Sequence, residues 1–199
     1  MAEKFDPAHW QRLENPERLK ELPPGVVIDL LSPAGAGTIV DFGAGTGMYT
    51  IPIAEALPHG TVMAVDEVPE LLRRLHEKLA RPENRVLRQR VKLVQSDHGR
   101  VPLADGAAGR VLAINVLHHI HDDPLALGEI TRLLAPGGRL VVIDFGAVER
   151  PVGPPIDHVL PHDRLRAVVA EMGLVEAGYH EPGELLPYHV VVVAEKSQG

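Results

Sequence analysis

Val40-Asp41-Phe42-Gly43-Ala44-Gly45-Thr46-Gly47 is the stretch on which the fold turns. An apolar, β-rich run from residue 38 to 42 leads directly into glycines at 43, 45 and 47, and an apolar helical pattern follows over residues 49–57. Glycine lacks Cβ, so it accepts positive φ and lets backbone come close to a ligand. Ligands of open α/β sheets bind beyond the carboxyl ends of the strands, where this loop falls.

Working outward, the same alternation repeats. Residues 61–65 read as a second strand, followed by a helix opening near Val68-Pro69, with Pro at a favoured first-turn position. Leu71, Leu72, Leu75 and Leu79 share one face of that helix, and Glu70 stands four residues before Arg74. Residues 91–94 and 111–114 read as strands three and four. A helix over 124–134 is expected to stop at Ala135-Pro136-Gly137-Gly138, and residues 140–143 form strand five. Strands this apolar are buried on both faces, which predicts a doubly wound, Rossmann-like α/β sheet that is mostly parallel. After a helix over 163–172, the runs 174–179 and 190–194 are joined too tightly for a crossover helix, so they are expected to pair antiparallel. Residues 1–37, helical between Pro7, Pro16, Pro23-Pro24 and Pro33, are expected to cap a core spanning 38–199, the whole forming one domain over 1–199.

Composition narrows the function. The 199 residues include 19 Gly, 18 Pro and no Cys, with 45% hydrophobic and 24% charged residues. Without cysteine there is no disulfide scaffold, thiol nucleophile, iron–sulfur cluster or thiolate-held zinc. A net charge of −7 disfavours nucleic acid as a partner, because no basic field neutralises phosphates. No run of about 18 apolar residues spans a membrane. Residues 1–10 carry charges and Pro7 where a signal peptide needs an apolar core, so a soluble cytoplasmic protein is expected.

The loop narrows the ligand. A G-x-G-x-x-G dinucleotide fingerprint needs glycine at 48, where the chain has Met48; the third glycine is Gly47. Asp66 closes strand two about 20 residues on, where a carboxylate accepts from ribose hydroxyls. That carboxylate suits NAD as well as any other adenosyl ligand, and a strand-end Asp also serves as a helix cap.

Residues 40–50 resemble motif I of class I S-adenosylmethionine-dependent methyltransferases. Ala64-Val65-Asp66 resembles the family's second-strand acidic motif, and Ser96-Asp97-His98 its adenine-flanking segment. Residues 114–120 (Ile-Asn-Val-Leu-His-His-Ile) are similar to the fourth-strand motif, and 133–140 to the segment before strand five. The small-molecule branch, similar to the ubiquinone/menaquinone-biosynthesis and type 11 enzymes, is the nearest. The lead-in from Phe5-Asp6-Pro7 to Leu19 resembles relatives of arsenite methyltransferases, but these hold arsenic through cysteines that this chain lacks.

The resemblance implies S-adenosylmethionine as cofactor and a seven-stranded sheet with its last strand antiparallel. It places Gly43, Ala44, Gly45 and Gly47 under the methionine and ribose portions. Asp41 would orient the amino group and Asp66 the ribose hydroxyls, with Glu67 or Val68 beside adenine. Asp97 would accept from the adenine amino group near the His98 backbone, and Asn115 would face the cofactor ammonium or the acceptor. The expected partner is a small-molecule methyl acceptor, methylated by in-line displacement. Candidate bases are His118, His119 and His158, with Asp144 at the end of strand five a further candidate; His121 and His162 lie nearby in sequence. No H-E-x-x-H signature is present and no metal is expected. Arg150, in the Gly/Pro-rich connection 146–162, is a candidate for steering an acidic acceptor, and Trp10 is the expected anchor of the cap. Competing readings are a non-catalytic S-adenosylmethionine-binding module and an NAD-dependent oxidoreductase. No Asn/Asp-Pro-Pro-Tyr tetrad marks a base-flipping methyltransferase.

Overall fold

The structure, a computed structural model, describes residues 7–57, 59–97 and 99–198. Seven strands form one sheet in the order β3-β2-β1-β4-β5-β7-β6. They are β1 (Thr38–Phe42), β2 (Thr61–Asp66), β3 (Val91–Gln95), β4 (Ala108–Ile114), β5 (Leu134–Phe145), β6 (Val175–His180) and β7 (His189–Glu195). The pairs β1–β2, β2–β3, β1–β4 and β4–β5 are parallel, and β7 runs antiparallel to both β5 and β6.

Pleat alternation gives each face its own core. Ile39, Leu112, Val141, Ile143 and Val191 point to one side, where they pack with Leu31, Ile53, Leu75 and Leu79. Val40, Val111, Ala113, Leu140 and Val142 point to the other and meet Ile130, Leu133, Leu165 and Val168. The first layer comprises α2 (Pro24–Leu31), α3 (Thr50–Ala56), α4 (Pro69–Leu79) and the short α5 (Leu87–Arg90), after α1 (Pro16–Glu21) in chain order. The second comprises α6 (Leu117–Ile120), α7 (Pro124–Leu133) and α8 (His162–Glu171). Several helix starts are set locally: Asn15 accepts from Glu17 N and Asp123 from Leu125 N and Ala126 N, while Pro16, Pro24, Pro69 and Pro124 occupy first-turn positions.

The expected stop at Ala135-Pro136-Gly137-Gly138 becomes part of β5. Leu134 pairs with Ala108, the register then jumps to Arg139 opposite Arg110, and the residues between loop out. Gly137 N donates to Lys196 O and Lys196 N to Gly138 O (both 2.9 Å), so the loop is held from beyond β7.

The N-terminal segment, a 3-10 stretch over Pro7–Glu14 followed by α1 and α2, folds against the glycine loop and its flanking helices. Lys78 Nζ donates to Thr46 O (2.9 Å) and pairs with Glu14 (2.6 Å). Arg74 lies 3.7 Å above the Trp10 ring, in keeping with Trp10 as an anchor, and Tyr49 OH donates to Leu22 O (3.1 Å). Phe5 and Asp6 lie outside the described residues.

Candidate functional site

The chain crosses from β3 to β4 past β1, so the order of the sheet reverses between β1 and β4, which is where open α/β sheets form their ligand crevice, beyond the carboxyl ends of the strands. The glycine loop forms one wall. Gly43 N and Ala44 N both donate to Val65 O (2.8 and 2.9 Å), fastening the loop to the end of β2. Gly43, Gly45 and Gly47 all have positive φ, but their surroundings differ. A Cβ on Gly43 would overlap Val116, and one on Gly47 would overlap Leu75, so the chain's own packing requires glycine there. At Gly45 a Cβ would meet only Leu13 Cδ1, at 3.4 Å.

Two buried carboxylates stand behind the loop. Asp66 accepts from Gly45 N (2.7 Å) and Val68 N (2.9 Å), and burial raises its pKa against those bonds. Its side chain therefore shapes the loop. Asp41 accepts from Thr50 Oγ1 (2.6 Å), and burial, with a contribution from the Asp66 charge, pushes it up to about 6. Glu67 and Asp97 are exposed; Asp97 and Arg100 exchange backbone bonds of 2.9 and 2.8 Å. His98 lies outside the described residues.

The opposite wall starts at Asn115, which holds a left-handed conformation (φ 55°) and donates its N–H to Ile143 O (2.7 Å). A non-glycine residue in this region is uncommon, and such strain clusters at functional sites. Asn115 Oδ1 and Thr46 Oγ1 are buried side-chain oxygens without a hydrogen-bond partner among the described residues. Just beyond, Asp144 Oδ1 lies 2.6 Å from His118 Nδ1, and Asp144 Oδ2 accepts from His118 N (3.0 Å). Phe145 N also donates to Asp144 Oδ1 (2.8 Å), and both side chains of the pair are buried. An Nδ1–H bonded to a carboxylate leaves Nε2 as the acceptor nitrogen. His118 Nε2 has no partner among the described residues.

The other histidines fall elsewhere. His119 is exposed, with its ring 3.9 Å from that of His118; desolvation, assisted by His118, lowers it to about 4, so it is neutral near pH 7. His158 is exposed on a 3-10 turn, with no side-chain partner among the described residues. His121 Nδ1 faces His118 O, and His162 bridges Ala147 N and Glu181. Arg150 does not present a free charge: its guanidinium donates to the carbonyls of Gly146, Val148 and Pro154 and covers the Phe145 ring at 4.9 Å. It staples the 146–155 loop to itself.

Two features had weak signals in the sequence. His189, the first residue of a strand that is apolar from Val190 to Ala194, is buried against Phe145 (centroids 4.9 Å apart), with both ring nitrogens unpartnered among the described residues; burial lowers its pKa to about 4. Leu13 covers Gly45 from a segment with no strong periodicity.

The donor set suits an adenosyl sulfonium with an amino-acid tail. Loop side chains bring no cation, two carboxylates lie behind the loop, and orphaned oxygens at Thr46 and Asn115 await donors. Residues 40–142 match the methyltransferase-domain family of type 11. The ubiquinone/menaquinone biosynthesis C-methyltransferase of Syntrophotalea carbinolica is 34% identical over 122 residues, 61% of this chain and 49% of that protein. The demethylmenaquinone methyltransferase of Thermus thermophilus is 32% identical over 118 residues, 59% of this chain and 51% of that one. The matches thus span about half the length of those relatives. A crystal structure of a SAM-dependent methyltransferase from Aquifex aeolicus superposes with a TM-score of 0.85 at 26% identity, covering 96% of this chain and 99% of that one.

Proposed function

This chain belongs to the type 11 family of class I S-adenosylmethionine-dependent methyltransferases, and we propose that it methylates a hydroxylated small molecule by in-line displacement. The observation that carries the reading is the His118–Asp144 pair beside the switch-point crevice. When bound, S-adenosylmethionine supplies an activated methyl on a sulfonium. The protein's work is then alignment, exclusion of water and removal of the acceptor's proton.

The residues divide that work. Asp66 would hold the ribose hydroxyls with the lone pairs its two backbone bonds leave free, and Asp41 would meet the cofactor ammonium. Gly45, with Gly43, Ala44 and Gly47 shaping the turn, would lie beneath the ribose and methionine. Asn115 would face the ammonium or the acceptor, while Glu67, Asp97 and the His98 backbone would border adenine. His118 Nε2 takes the hydroxyl proton of the acceptor, and Asp144 holds the imidazole in the tautomer that leaves Nε2 free, stabilising the imidazolium that forms. His119, whose lowered pKa makes it a weaker base, and His158, exposed, are weaker candidates for this step. The names of the relatives point to a reduced quinone as the first acceptor class to try.

The test is S-adenosylhomocysteine release with naphthoquinol, benzoquinol and catechol acceptors. His118→Asn is expected to lower kcat by about 100- to 10,000-fold while binding S-adenosylhomocysteine as the wild type does. Wild-type turnover by that variant on every accepted substrate would remove His118 from the chemistry.

A further inference from the structure

His189 opens β7, and both nitrogens of its ring are buried with no hydrogen-bond partner among the described residues. The residue is 3% exposed, and Val190 to Ala194 after it are apolar. His118, His121 and His162, the other histidines around the ends of β4 and β5, each engage at least one ring nitrogen. A buried imidazole with neither donor nor acceptor engaged is costly, and a valine or leucine in its place would avoid the cost. Such a group is retained where a ligand completes it.

Its place in the sheet says which ligand. Strand β7 runs antiparallel to β5 and pairs His189 with Phe145, so His189 lies at the carboxyl end of β5. Its ring stacks on Phe145 with centroids 4.9 Å apart, and Phe145 meets the ring of His118 edge-on at 6.0 Å. Phe145 therefore joins the unpartnered imidazole to the imidazole proposed to take the acceptor's proton. Gly146 N donates to Tyr188 O (2.8 Å), which carries the pairing one step further and fixes His189 against the loop after β5. Burial, with the charges of Arg18 on α1 and Arg150 on that loop and against the charge of Asp144, lowers its pKa to about 4, so the ring is neutral near pH 7. A neutral imidazole has one N–H and one bare nitrogen; it donates to a carbonyl or accepts from a hydroxyl, and a change of tautomer exchanges the two. Of the elements whose charges reach His189, α1 buries none of its six residues, and a helix so lightly packed opens at low cost.

We propose that His189 reads the acceptor: its ring hydrogen-bonds a second neutral oxygen, hydroxyl or carbonyl, carried by the acceptor besides the hydroxyl that faces His118, and α1 lifts to admit it. A site built to bond an oxygen rejects the analogue that lacks it, which an apolar site of the same shape does only weakly. The inference rests on the methyltransferase reading and narrows its acceptor class, so binding and turnover are read separately.

Calorimetry on S-adenosylhomocysteine-saturated protein with two matched pairs of probes tests it: naphthoquinol against naphthol and benzoquinol against phenol, the quinols kept reduced with dithiothreitol. Wild type is expected to bind each quinol about 10- to 100-fold more tightly than its monohydroxy partner. In His189→Leu that preference falls to near equality, while naphthol, phenol and S-adenosylhomocysteine bind as they do to wild type. His189→Gln, which keeps a donor and an acceptor, recovers part of the preference. A role confined to packing would move both members of a pair alike. Wild type that binds the members of each pair equally, or binds none of them, overturns the proposal, and so does a quinol preference that survives in His189→Leu. Methyl transfer to the same probes is followed in parallel. A His189-dependent preference without turnover counts against the methyltransferase reading and upholds His189 as the reader of the second oxygen. If wild type does not bind S-adenosylhomocysteine, that reading fails, and the same titrations on ligand-free protein decide His189 alone.

Discussion

Replacing Asp41 by Asn should change how stability depends on pH, by an amount the structure allows to be worked out. Asp41 is buried one residue before the end of β1, near Asp66, with Thr50 Oγ1 as its bonded donor. Its pKa of about 6 in the native state stands against an ordinary 3.8. A carboxyl whose folded pKa is raised binds its proton more tightly in the native than in the unfolded chain. Its contribution is therefore complete below about pH 4 and disappears as pH rises through about 6. The full span is about 3 kcal/mol, of which about 2 kcal/mol falls between pH 4.5 and 7.5. Asparagine cannot titrate. Its other costs, the weaker bond from Thr50 and two new amide hydrogens, are the same at both pH values and cancel in the comparison. Urea unfolding of ligand-free wild type and Asp41→Asn at half-unit steps from pH 4.5 to 7.5 should show the stability difference moving by about 2 kcal/mol in favour of wild type as pH falls. A difference that stays flat within about 0.5 kcal/mol would show that Asp41 ionises as a solvated carboxylate does, and the account of its burial would be wrong.

Asp66→Ala should abolish S-adenosylhomocysteine binding by calorimetry and also lower unfolding stability by about 2 kcal/mol or more, because Gly45 N–H and Val68 N–H lose their acceptor; undiminished stability would reduce Asp66 to a ligand contact. His189→Leu should stabilise the protein at neutral pH by removing two unpartnered buried nitrogens. The gain should be about 2 kcal/mol larger at pH 5 than at pH 7.5, since a histidine lowered to about 4 costs stability as pH falls from 6.5; equal gains at the two pH values in thermal melts would refute this.

Much of the architecture was legible because its signals are local. The run from Val40 to Gly47 names a strand, a turn and its backbone conformation within eight residues, and the unbroken apolar character of β1, β4 and β5 states that both faces are covered. The tight link between β6 and β7 likewise announced their antiparallel pairing. Non-local features were harder. Ala135-Pro136-Gly137-Gly138 carries every mark of a chain break, yet Lys196, some 60 positions later, supplies the hydrogen bonds that keep it within the sheet. His118 stood out in sequence, but its bond to Asp144 exists because β4 and β5 lie side by side, which strand order implies and spacing does not. Arg150 read as a loop charge with steering of an acidic acceptor as the alternative, and only three-dimensional packing shows it bonded to the carbonyls of its own loop.

Strand β7 lies inside the sheet, between β5 and β6, although it comes last in the chain. On the ribosome, Val141 and Ile143 leave the exit tunnel some 50 residues ahead of Val193 and Val191, their partners. Until those partners emerge, β5 presents an unpaired border, apolar from Leu140 to Ile143, that offers itself to any extended chain nearby. Synthesis broken off before residues 189–195 would therefore release a species missing its keystone rather than its fringe, and such a species would be a target for chaperones and proteases.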